Sequence, residues 1–170
     1  MEIFEKMAYT GVSRDLISFN AVISACAKGQ YFDKAMEFHA EMKAINIKSD
    51  EITYNSLISA CERNGKWESA IDLVSEMEMS GIFPTEHTFT ALIQVLVSSN
   101  RFDEAFSILA RVHRNEDMVK STYAMHQLLF NACQNIGDDR AEEVYLAIKK
   151  FGIQPLPAEV TCYIHGREAK

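Results

Sequence analysis

FNAVISACAKGQYFDKA at 19–35 and YNSLISACERNGKWESA at 54–70 align position for position, 35 residues apart. Outward from this pair the same step holds Met7, Met42 and Met77 together, then Ala35, Ala70 and Ala105, Asn20 and Asn55, and Cys26 and Cys61. A fixed period of this length marks a stack of small supersecondary units. Each unit buries its apolar face only against its neighbours, so the stack grows in one dimension as a solenoid. Function then belongs on the extended surfaces of the stack, not in a closed pocket.

Each unit reads as two helices. Phe19, Val22, Ile23 and Cys26 recur at three- and four-residue steps, the apolar stripe of an amphipathic helix. Tyr54, Leu57, Ile58 and Cys61 repeat it, as do Phe89, Leu92, Ile93 and Leu96. Polar breaks follow at KGQ (28–30), RNGK (63–66) and SSNR (98–101). The second helix carries Phe32, Ala35, Met36, His39 and Met42, then Trp67, Ala70, Ile71, Val74 and Met77, then Phe102, Ala105, Phe106, Leu109 and Val112. The Ala common to the copies marks the closest helix approach. Asn46, Gly81 and Gly152 share the position after the second helix, where a residue that tolerates positive φ closes it. Pro84 and Pro155 follow as helix stops.

The expected organisation is the second half of a truncated repeat at 1–15, full repeats at 16–50 and 51–85, an irregular one at 86–122, a degenerate one at 123–156, and the start of another unit or a tail at 157–170. The chain has 170 residues, 48% apolar and 24% charged, enough for a continuous core. No apolar run approaches the roughly 20 residues of a membrane span. The start, MEIFEKM, reads as neither a secretory leader nor an Arg-rich transit peptide, which places any import address outside this chain. Cys26, Cys61 and Cys133 occupy corresponding first-helix positions, and neighbouring helices lie about 8–10 Å apart, beyond the roughly 7 Å that a disulfide allows between alpha carbons. With no Cys/His spacing for zinc, they read as small buried thiols of a reducing compartment, Cys162 being undecided.

The openings I-S-F-N-A-V-I and I-T-Y-N-S-L-I, with the closings E-M-K-A-I-N-I-K-S-D and E-M-E-M-S-G-I-F-P-T, resemble the pentatricopeptide repeat family. The resemblance implies an all-α fold: a right-handed superhelical α-solenoid of antiparallel helix-turn-helix repeats, with the first helix of each pair on the concave side. It also implies single-stranded RNA as partner, one base per repeat, in a mitochondrion or chloroplast. The base-reading pairs it implies are Asn20 with Asp50, favouring uracil, and Asn55 with Thr85, favouring a pyrimidine less sharply. Thr90 pairs with Lys120 or Thr122, and Gln127 with Leu156. Ile17 and Ile52 match base-sandwiching positions, where the third unit has His87. Lys28 and Arg63 match phosphate contacts, where the fourth has Asn135. Asn suits base reading because it offers a donor and an acceptor. Asn20 and Asn55 also admit a reading as surface residues bonding their own backbone, and Lys28 and Arg63 as cations favoured at helix C-termini.

Net charge is −7, which opposes polyanion binding. In the predicted first helices, 17–29, 52–64, 87–99 and 123–135, the charged residues are Lys28, Glu62 and Arg63 alone, so that face is expected to be near-neutral to weakly basic. Glu37, Glu41, Glu68, Asp72, Glu76 and Glu78 crowd the second helices. The five histidines share no ligand spacing, and Asp138, Asp139, Glu142 and Glu143 read as a solvated helix start. No phosphate loop, nucleophile elbow or zinc deaminase signature is present, so no catalytic residue, metal or cofactor is expected. The competing class is a protein-binding scaffold, such as a mitochondrial ribosome subunit, gripping protein partners at its repeat ends.

Overall fold

The computed structural model describes residues 14–114, 122–137 and 139–150. Among them are eight α-helices and no strand: α1 (Leu16–Lys28), α2 (Phe32–Ala44), α3 (Glu51–Asn64), α4 (Trp67–Met79), α5 (Glu86–Ser98), α6 (Phe102–Arg114), α7 (Tyr123–Ile136) and α8 (Ala141–Lys150). None is long and apolar enough to cross a membrane. The chain divides into two compact units, Met1–Asn100 and Arg101–Lys170. The division falls between the two helices of the predicted 86–122 repeat.

In the first unit α1 packs on α2 and α3 on α4 as antiparallel hairpins, while α1, α3 and α5 pack side by side as one row. The predicted first-helix stripes are buried at every position, from Phe19 through Leu96. Each such Ile or Leu contributes about 1.5–3 kcal/mol by leaving water. Ala35 and Ala70 have no exposed surface, so a larger side chain there overpacks the hairpin at a cost of about 1–3 kcal/mol. The second-helix stripe is shifted from expectation. Phe38 and Leu73 are buried, while Phe32, Met36, Trp67 and Ile71 are only half-buried. Cys26, Cys61 and Cys133 are buried thiols, and burial pushes the Cys61 thiol up to about 12. Cys162 lies outside the described residues.

One closing device serves both helices of the first two hairpins. After α2, Asn46 sits at φ 58° with its N–H on the Lys43 carbonyl, and Ile47 N–H returns to Met42. Gly81 and Ile82 repeat this after α4. The same paired bonds also close α1 at Gln30 and Tyr31 and α3 at Gly65 and Lys66, with Gln30 at φ 64°. Only the second-helix series was expected from sequence; its predicted members Gly152 and Pro155 lie outside the described residues. A Gln replaces the glycine in the first-helix series, which hides the period there.

In the second unit α7 packs on α6 and on α8, burying Ala105, Leu109, Met125, Leu129, Phe130, Val144 and Ile148. His126 Nδ1–H donates to the Thr122 carbonyl at 2.9 Å, which leaves its Nε2 to accept from His113 Nε2–H at 3.1 Å. Burial pulls both rings below the usual histidine range, and the charge His126 would carry adds to this at His113, which falls to about 4. Both are neutral near pH 7. Glu142 and Glu143 lie exposed in the first turn of α8, where the helix dipole favours them.

Candidate nucleic-acid interface

The predicted base readers are held by a network that crosses from one hairpin to the next. Asp50 is the N-cap of α3, and its side chain accepts the Thr53 N–H at 2.9 Å. Thr53 returns the favour, accepting the Asp50 N–H at 3.2 Å, which closes a capping box. The same carboxylate accepts the Asn20 amide on both oxygens, at 3.0 and 3.1 Å. The Thr53 hydroxyl donates to Asn20 Oδ1 at 2.6 Å, with Asp50 Oδ1 also in range at 2.9 Å. Burial raises the Asp50 carboxyl, but the bonds from Thr53 and Asn20 outweigh it and hold it below the ordinary carboxylate value. Asp50 is therefore ionised, and the Asn20 amide cannot flip without setting its carbonyl oxygen against a carboxylate.

The second site has the same plan with one exchange. Thr88, fully buried, donates to Asn55 Oδ1 at 2.8 Å. Thr85 replaces the aspartate, and the carboxylate comes from Glu51 instead. Glu51 Oε1 accepts from Thr85 Oγ1 at 2.9 Å and from Asn55 Nδ2 at a long 3.4 Å. Thr85 and Thr88 again form a capping box at the start of α5. Glu51 corrects the expectation about charge. Helices α3 and α5 begin at Glu51 and Glu86, one residue before the windows read from sequence, so the row of first helices carries these two acids as well.

Lys28, Ile52, Asn55 and Arg63 come together, lining one cleft of about 390 Å3 between α1 and α3 with Ser24, Ala27, Ser56 and Ser59. Arg63 Nη1 donates to the Lys28 carbonyl at 2.9 Å, which caps the end of α1 and sets two cations side by side. Ile17 and Ile52 are 76% and 61% exposed. Two large aliphatic side chains standing in water at equivalent positions have no packing role of their own. Thr90 is not drawn into such a cluster: its hydroxyl donates to the Glu86 carbonyl of its own helix at 2.7 Å. His87 is exposed, and Gln127 and Asn135 join no described network. Lys120 and Leu156 lie outside the described residues.

Sequence reasoning missed Thr53, Thr88 and Glu51. The signal was there, since Ser18, Thr53 and Thr88 repeat at the 35-residue step. Ser18 likewise bonds the Asp15 cap of α1, at 2.6 Å.

The PPR repeat family model matches residues 14–62 and 49–98, and the PPR repeat model matches 87–116. The chain belongs to the pentatricopeptide repeat family. No curated protein matches it by sequence. Among solved structures it is similar to the pentatricopeptide repeat protein PPR10 from maize, at 25% identity and a TM-score of 0.74, over 91% of this chain and 22% of that one. PPR10 in complex with an 18-nt psaJ RNA element gives a TM-score of 0.77 at 22% identity, over the same 91% and 22%. The PPR domain of Arabidopsis thaliana protein-only RNase P 1 in complex with tRNA gives 0.81 at 13% identity, over 99% of this chain and 88% of that one. The chain thus spans less than a quarter of PPR10. Its fold is the all-α helical-hairpin solenoid of pentatricopeptide repeat proteins.

Proposed function

We propose that this chain binds single-stranded RNA along its row of first helices and selects a short pyrimidine-containing sequence there. The observation that carries this is the Asn20–Asp50–Thr53 clamp. An amide in the reader position is pinned in one orientation by an ionised carboxylate, yet keeps one N–H and one oxygen lone pair for a ligand. A uracil edge takes that pair through a carbonyl oxygen and its N3–H. The cleft beside Asn55 supplies the remaining parts: Ile52 to cover a base face, and Lys28 and Arg63 for phosphate. That PPR10 and the RNase P 1 domain are known in complexes with RNA supports the same ligand class here. Family membership favours a role in organellar RNA processing, stability or translation, with binding and not catalysis as the contribution of these repeats.

Two phosphate contacts predict modest affinity and a logarithmic salt slope of about −1.4. Selection from a randomised single-stranded RNA pool, at low and moderate salt, tests the reading. Enrichment of a motif with adjacent pyrimidines, lost in the Asn20→Ala/Asn55→Ala variant, supports it. Retention without a motif reduces it to phosphate attraction. No retention at low salt overturns it in favour of the protein-binding scaffold.

A further inference from the structure

The cleft between α1 and α3 holds serine hydroxyls to which neither the family reading nor the reader network gives a task. Along α1, Asn20, Ser24 and Lys28 follow one another at four-residue steps; along α3, Asn55, Ser59 and Arg63 do the same. Residues four apart share a face and rise about 6 Å along the axis. Each helix therefore presents an amide, a hydroxyl and a cation in line. The serine stands midway between the group that meets a base and the group that meets a phosphate. In a nucleotide, the ribose stands midway between those same two parts.

These hydroxyls are also uncommitted. A serine or threonine in a helix commonly bonds the carbonyl four residues back, as Ser75 does to Ile71 at 3.0 Å and Thr90 to Glu86. Ser24 and Ser59 make no such bond, nor any other among the described residues. Both remain able to donate and accept. On α5 the same three steps read Thr90, Gln94 and Ser98. There the cation is missing and Gln94 spends its amide on Ser98 at 3.4 Å.

We propose that Ser24 and Ser59 contact ribose 2′-hydroxyls and so make these repeats prefer RNA to DNA of the same base sequence. The 2′-hydroxyl is both donor and acceptor, and is the group that separates the two polymers. The inference rests on the RNA-binding reading above and deepens it. A neutral hydrogen bond of this kind changes affinity by roughly two- to tenfold.

The test measures fluorescence anisotropy of the whole chain with a short oligouridylate and the matching oligodeoxyuridylate, which differ only at the 2′ position. The wild type is expected to hold the ribose strand roughly tenfold tighter. Ser24→Ala/Ser59→Ala should bring the two strands within about twofold, by weakening the ribose strand alone. Ser24→Thr/Ser59→Thr, which keeps the hydroxyls, should restore the preference. Circular dichroism melting checks that these surface changes leave the fold intact. If the ribose strand binds but the wild type shows no preference, or the alanine variant keeps it, the serine assignment is overturned and the proposed function stands. If neither strand binds at low salt, the proposed function fails and takes the serine assignment with it.

Discussion

The two proposed reader sites differ in where their carboxylate comes from. At the first, Asp50 comes from the next hairpin and binds the Asn20 amide directly, at 3.0 and 3.1 Å. At the second, Glu51 comes from the reader's own helix and reaches Asn55 at 3.4 Å, while Thr85 from the next hairpin holds Glu51 in place. Charge-assisted bonds at short distance are roughly twice as strong as neutral ones. A carboxylate on a long flexible side chain also loses more rotamer freedom when it is fixed. The first amide is therefore held tightly in one orientation and the second loosely. Under the proposed function, two repeats with the same reading residue need not read with the same stringency.

The largest expected effect is on RNA binding. Asn20→Ala should weaken the selected RNA about tenfold or more, because it removes the amide that would meet the base. Asn55→Ala should cost only a few-fold. Anisotropy titrations compare them, and equal losses would remove the distinction between the sites.

Next in size is an attempt to convert the second site into the first. Thr85→Asp places a carboxylate against Glu51, whose Oε1 lies 2.9 Å from the hydroxyl being replaced. The single variant should lose about 1–2 kcal/mol to like-charge repulsion, and Glu51→Gln in the same chain should recover most of it. Urea denaturation of the four members of this cycle measures the coupling. Additive effects would mean that Glu51 does not hold the Thr85 site together.

A smaller effect follows from freeing the first amide. Asp50→Asn keeps a good helix cap, so stability should fall by less than about 1 kcal/mol. The amide can then flip, and the preference for uracil over cytosine should relax several-fold in competition binding.

The smallest effect is on pH dependence. The Asp50 carboxyl titrates below its ordinary value of 3.8 in the folded chain. Its contribution is present above that value and is lost as pH falls through the lower folded value. Urea melts at decreasing pH should show an acid loss near or below pH 4, about 1 kcal/mol at most, that is absent in Asp50→Asn. An identical acid loss in both proteins would assign it to other carboxylates.

Much of this was legible in the sequence, and the rest was hidden for a definite reason. Helix positions, the buried first-helix stripes and the three buried thiols followed from the 35-residue period, because local periodicity decides which face is apolar. The second-helix stripe was read only in part, since Phe38 and Leu73 are buried where Met36 and Ile71 were expected. The pairing of Asn20 with Asp50 followed from the family resemblance. Thr53 and Thr88 did not, because each belongs to the repeat after the one it serves, and reading one repeat at a time cuts those contacts. Glu51 was missed because the helix starts one residue before its first apolar position, at a place that pattern reading treats as cap. The meeting of His113 and His126 had no sequence signal: they sit on different helices, and the sequence between them departs from the 35-residue period.

The sharing of one aspartate between a helix start and a neighbour's reader has a consequence for counting. Under the proposed function, a reading site is a property of the junction between two hairpins, so a row of hairpins has one fewer complete site than it has members. Its last reader stands without a clamp. The unit to transplant is then not the 35-residue block that the alignment suggests. A graft of 16–50 carries Asn20 and Asp50 but leaves Thr53 behind, whereas a cut after Tyr54 keeps the whole site. Whoever rearranges such rows to alter what they read should place the seams one turn into the helix, where the bonds have already been made.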